Sequence, residues 1–130
     1  MKTIVMLMLA SMLMIGAAPA YSAETVHIFW CEEGPDATEE KVEALASNWL
    51  KAAKTMKGGE RLKAYVYFPV AVNVIGETDL WFVVVAPSFA EWGKFWDGYS
   101  GSEAAAEMEK RTHDKIVCPD SALWESIKIK

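Results

Sequence analysis

The stretch DLWFVVVAPSFAEWGKFWDGYSG, residues 79–101, decides the fold. Leu80–Ala86 is an unbroken apolar run, β-branched and aromatic, closed off by Asp79 and Pro87. Seven such residues suit a strand buried on both faces better than a helix. After Pro87 the spacing Ser88, Glu91 is that of a capping box, in which hydroxyl and carboxylate satisfy free N–H groups at a helix start. Trp92, Phe95, Trp96 and Tyr99 then fall at i, i+3, i+4 and i+7, one apolar face wide enough to lie over the preceding strand. A strand feeding a helix that folds back on it is the expected centre of the domain. Gly93 interrupts that helix at a cost of about 1 kcal/mol relative to Ala, which points to a close neighbour at that site.

Upstream, Val26–Cys31 is apolar apart from His27 and predicts a first strand that ends at Glu32-Glu33-Gly34-Pro35. Asp36-Ala37-Thr38-Glu39 has capping-box spacing, and Val42, Leu45, Trp49, Ala52 and Met56 keep a helical period until Gly58-Gly59. Residues 61–72 alternate Leu62, Ala64, Val66 and Phe68 with Lys63, Tyr65, Tyr67 and Pro69, a second strand that either lies at an edge or ends at its proline. Residues 70–75 continue that strand or form an apolar loop. Downstream, Ser102 caps a helical stretch to about Asp114, Pro119-Asp120-Ser121 makes a turn, and residues 122–129 alternate as a last strand.

Residues 1–23 have the form of a signal peptide: Lys2, an apolar stretch, then a small-residue cleavage region at Ala18-Pro19-Ala20 or Tyr21-Ser22-Ala23. Cleavage after Ala23 leaves residues 24–130 as a single α+β domain with no stable membrane anchor, in the periplasm or outside the cell. The chain carries 13 basic against 18 acidic residues, net charge −5, and Lys2 is the leader's one charge. Such an acidic domain disfavours nucleic acid and anionic lipid as partners, since both are held by clustered Lys and Arg. Two cysteines in an exported chain favour one disulfide.

Strand, helix, strand, strand, helix, strand is the βαββαβ order of the ferredoxin-like fold, a four-stranded antiparallel sheet with its helices on one face. In that order the first and last strands are antiparallel neighbours, which brings Cys31 beside Cys118. The sheet's second face is left uncovered, and several of its side chains are apolar or aromatic. At this point the chain resembles the dimeric α/β-barrel group of ferredoxin-like proteins, in which two sheets pack face to face around a small cavity. That resemblance implies a homodimer. The group includes cofactor-free monooxygenases, isomerases and haem-handling members, so it leaves the reaction and any cofactor unknown. The chain is also similar to small uncharacterised exported bacterial proteins with a Cys closing the first strand and a Cys-Pro-Asp-Ser turn before the last.

Taking Leu62, Ala64, Val66 and Phe68, with Val26, Ile28 and Trp30, as the helix side leaves His27, Phe29, Lys63, Tyr65 and Tyr67 on the open face, joined by Trp124 and Ser126. His27, Phe29, Tyr65, Tyr67 and Trp124 are therefore the expected ligand-binding set: much apolar area with few orienting polar groups. No catalytic residue is assigned. Cys31 is followed by Glu32 and Glu33, which oppose thiolate formation. A metal site is not expected, because His27 and Cys31 lie ~13 Å apart on an extended strand. Trp92, Phe95, Trp96 and Tyr99 read first as a core-filling face and second as a stacking platform. Three functions compete: an exported domain binding a small apolar or aromatic molecule on its sheet face, a cofactor-free monooxygenase or isomerase using His27, and a structural protein whose sheet face is filled by a partner.

Overall fold

A computed structural model describes residues 23–70 and 79–130, the side chains of residues 110–115 excepted. The expected leader, up to residue 22, and nearly all of the ambiguous stretch at residues 70–75 lie outside the described residues. Four strands and three helices follow in the order β1 (Glu24–Glu33), α1 (Glu39–Lys54), β2 (Lys63–Tyr67), β3 (Leu80–Ala86), α2 (Phe89–Asp97), α3 (Glu103–Lys115) and β4 (Ile116–Ser126). The strands form one antiparallel sheet in the order β2-β3-β1-β4. This is the ferredoxin-like arrangement that the element order predicts, with α2 and α3 sharing the second crossover.

The deciding stretch folds as its residues dictate. β3 is central, and six of its seven residues are buried, with Trp81 the exception at 43% exposed. Asp79 anchors its entry: its backbone N–H donates to the Cys31 carbonyl at 3.0 Å, and its Oδ2 accepts from the Glu33 N–H at 2.8 Å. Ser88 caps α2 by accepting from the Glu91 N–H at 3.2 Å, and Phe95 is fully buried against Trp49 of α1. Trp49, 1% exposed, donates its indole N–H to the Tyr99 hydroxyl at 3.0 Å, so the largest core side chain leaves no polar atom unsatisfied. Around it pack Val42, Leu45, Leu62, Phe82 and Val84. A fully buried side chain of this kind contributes roughly 1.5–3 kcal/mol.

Several local expectations are corrected. The cap of α1 is Thr38, whose Oγ1 accepts from the Lys41 N–H at 3.3 Å, because Asp36 is taken up in a turn closed by Ala37 N–H on the Gly34 carbonyl. β2 stops at Tyr67, before Pro69, and so is shorter than residues 61–72. Pro119-Asp120-Ser121 is strand rather than turn: β4 runs through it, and the register against β1 shifts between Trp30 and Glu32. A bulge tolerates Pro119, which has no N–H to give the ladder. Gly93 has no neighbour within 4 Å of where a Cβ would stand, so close approach is not the reason for it. The tight glycines are Gly58 and Gly59: a Cβ on Gly59 would run into the Ala53 carbonyl, and one on Gly58, at φ +84°, would meet the Phe95 amide nitrogen at 2.8 Å and the Glu91 carbonyl at 2.9 Å. At Gly58 the loop after α1 lies directly on the backbone of α2.

The largest correction is the phase of β1. Thr25, His27, Phe29 and Cys31 pair with Ala86, Val84, Phe82 and Leu80, the strand residues that pack under the helices. His27 and Phe29 therefore face the helix side, while Val26, Ile28 and Trp30 face away. Both sets are apolar enough to be buried, so alternation alone does not choose between them. On β2 and β4 the expected phase holds: Ala64 and Val66 pack on the core, Tyr65 and Tyr67 are 45% and 54% exposed, and Trp124 pairs with Val26.

Candidate functional site

The five expected ligand residues do not converge. Tyr65, Tyr67 and Trp124 lie on the open face of the sheet, whereas His27 and Phe29 lie on the other. The structure instead builds two distinct surfaces.

The first is a corner where α2 ends its cover of the sheet. β1 supplies His27 and Phe29 as floor, and edge strand β4 adds Ser121 and Leu123, which pair with Phe29 and His27. Trp92 and Trp96 of α2 stand against the imidazole, with ring centroids 5.8 and 5.3 Å away, both edge-on. Phe89, 64% exposed, stacks on Trp92 at 5.3 Å with 14° between the planes and extends the wall outward. Phe29 lies 4.0 Å from the imidazole on the floor.

Hydrogen bonding fixes the state of His27. The Trp92 indole N–H points at Nδ1 at 3.4 Å, and Ser121 Oγ lies 3.1 Å from Nε2. An indole nitrogen can only donate, so Nδ1 is the bare, accepting nitrogen and Nε2 carries the proton. Burial lowers the imidazole pKa from 6.5 to about 4, which keeps the ring uncharged at neutral pH. The Ser121–His27 pair resembles a nucleophile and its base only in distance. A base must accept the serine proton at Nε2, and that nitrogen is already protonated. What the corner offers is a neutral N–H donor, facing solvent beside Ser121, at the foot of an indole and phenyl wall.

The second surface is the sheet face that carries no helix among the described residues. Cross-strand rows run Asp120, Trp30, Trp81, Tyr67, then Ala122, Ile28, Val83, Tyr65, then Trp124, Val26, Val85, Lys63. Tyr65 and Tyr67 stack on each other with centroids 6.3 Å apart, and Trp81 and Trp124 are 43% and 56% exposed. The Lys63 ammonium reaches across to Glu24 at 3.1 Å and closes one end. Exposed aromatics set in contiguous apolar rows mark an interaction surface.

Cys31 and Cys118 are placed as a disulfide pair, with Cα atoms 4.0 Å apart, tying the end of β1 to the β4 bulge. Among the described residues no three His, Cys, Asp or Glu side chains gather as a metal site. Sequence reasoning missed Ser121, because it was assigned to a turn, and Trp81, because it sits within an apolar run. Cys31 held the signal for the phase of β1: a cysteine buried in a bridge shares its face with Phe29 and His27.

No family model matches the chain, and no curated protein matches it in sequence. Solved structures do share its fold. The hydroxynitrile lyase from Passiflora edulis superposes with a TM-score of 0.54 at 7% identity, over 84% of this chain and 96% of that one. A variant chlorite dismutase from Candidatus Nitrospira defluvii gives 0.46 at 13% identity, over 82% of this chain and 41% of that one. A dimeric ferredoxin-like protein of unknown function from Thermobifida fusca gives 0.47 at 15%, over 82% and 92%. The chain spans less than half the length of the chlorite dismutases it matches. At these identities the likeness is one of fold alone, and the fold is ferredoxin-like.

Proposed function

We propose that residues 24–130 form an exported domain that works as a homodimer and binds a small apolar or aromatic molecule in the corner at His27. The observation that carries this reading is the solvent-facing His27–Ser121 hydrogen bond at the base of the Trp92–Phe89 wall. It combines one orienting polar group with a large ring surface, the composition of a small-molecule site. The ligand is assigned to the helix side because His27 is there. The open face, with Tyr65, Tyr67 and Trp124, is then free for a second copy of the chain. A self-complementary apolar sheet face suits a twofold pair. Export is supported by the leader at residues 1–23 and by the Cys31–Cys118 pair, which an oxidising compartment would maintain.

Native mass spectrometry of protein purified from the periplasm or medium tests both halves. The expected result is a dimer carrying a retained small molecule. His27→Ala should release the molecule while leaving the circular dichroism spectrum unchanged, and Trp81→Arg should give a monomer that still binds it. A monomeric wild-type protein at micromolar concentration would overturn the dimer. A ligand retained in full by His27→Ala would overturn the site.

A further inference from the structure

We propose that the His27 corner selects uncharged planar molecules bearing a hydrogen-bond acceptor, such as a carbonyl oxygen, which takes the place of Ser121 Oγ on the Nε2–H of His27. Trp92 is the positioning residue that makes this nitrogen the donor. The inference rests on the ligand site proposed above and adds the chemical class of its occupant.

The tautomer sets the class. With the Trp92 indole donating to Nδ1, the exposed nitrogen must donate, and it now donates to a serine hydroxyl on a solvent-facing edge strand. That hydroxyl is on an exposed residue and can turn to water and keep a partner there, so a ligand acceptor gains the Nε2–H without leaving a polar group unpaired. A ligand ring can then lie along the Phe89–Trp92 surface, whose two planes differ by only 14°. Ions are disfavoured from both sides. An ammonium brings only donors to a donor. The imidazole, uncharged at neutral pH, offers an anion no compensating charge.

Four benzene derivatives of similar size separate these cases at pH 7: benzamide, benzoate, benzylamine and toluene, titrated against the full exported chain by ligand-observed NMR. Benzamide should bind about tenfold more tightly than the other three, the gain expected from one hydrogen bond. Ser121→Ala, which removes the competing acceptor, should retain or tighten benzamide binding. Benzoate or toluene binding as well as benzamide would overturn the assigned class while leaving the site in place. Failure of all four to bind would overturn the site itself, and with it this inference.

Nitrogen NMR of the His27 ring gives a readout independent of any ligand. Nδ1 should show the unprotonated and Nε2 the protonated signature in the wild type, and the distinction should weaken or reverse in Trp92→Phe, which keeps an aromatic wall. A protonated Nδ1 in the wild type, or an unchanged ring in Trp92→Phe, would overturn the role given to Trp92.

Discussion

Along β1 the two faces of one strand carry different duties. Thr25, His27, Phe29 and Cys31 look toward the helices, while Val26, Ile28 and Trp30 look away, yet the second set is the more uniformly apolar. A half-buried antiparallel strand ordinarily turns its more apolar side to the core. The reversal teaches that hydrophobicity does not identify the covered face when both faces of a strand are apolar. Here the helix side accommodates a polar group, His27, at the margin of its cover, and the open side is aromatic across all four strands.

The sharpest way to break this contrast is to remove one tryptophan from each side. Trp49→Ala empties the covered core and should cost about 3–5 kcal/mol of unfolding free energy in denaturant titration. Trp81→Ala, on the open face, should cost a monomer less than about 1 kcal/mol while weakening dimerisation. Equal losses in a monomeric background would show that the open face is as much a part of the domain's core as the other. Replacing both Cys31 and Cys118 by serine should cost about 2–4 kcal/mol, because the bridge closes a long loop, sequence separation 87, in the unfolded chain. Denaturant midpoints of the oxidised protein and the double variant measure it.

A smaller effect follows from His27. Its folded pKa, about 4, lies below the ordinary 6.5, so between these values the unfolded chain binds a proton that the folded chain does not. Stability should therefore fall as pH drops from about 6.5 toward 4, and His27→Gln should flatten that part of the profile. Thermal melts of the two proteins across this window, compared as a difference, isolate His27 from the carboxylates. A parallel pair of curves would show that the imidazole is not desolvated. The smallest change expected is a gain: Gly93→Ala, with open space at its Cβ, should stabilise α2 by about 0.5–1 kcal/mol and raise the melting temperature.

Where residues made an unambiguous local choice, the sequence was sufficient. Leu80–Ala86, the caps Ser88 and Ser102, the βαββαβ order and the Cys31–Cys118 pairing all stand as expected. Each depends on a run, a cap or a topology rule that a neighbour does not readily override. The site was less legible because it depends on strand phase and on contacts across long separations. Trp92 and His27 are 65 residues apart, and Ser121 and His27 are 94 apart. Nothing local marks them as partners, and reading Pro119 as a turn removed Ser121 from the sheet altogether. Pro119 was a true signal of irregularity whose form, a bulge within β4, only the pairing register reveals.

That bulge has a further consequence for how the molecule can grow. The outer margins of the sheet are β2 and β4, and an unpaired margin invites another strand, each addition exposing a new margin in turn. Pro69 lies just past the end of one margin, and Pro119 interrupts the other at a point where the ladder is already out of step. Assembly by margins is open-ended and leads to fibres, whereas assembly by faces about a twofold axis stops at two. With a proline beside one margin and within the other, and an aromatic face exposed, the domain suits the terminating twofold association proposed above.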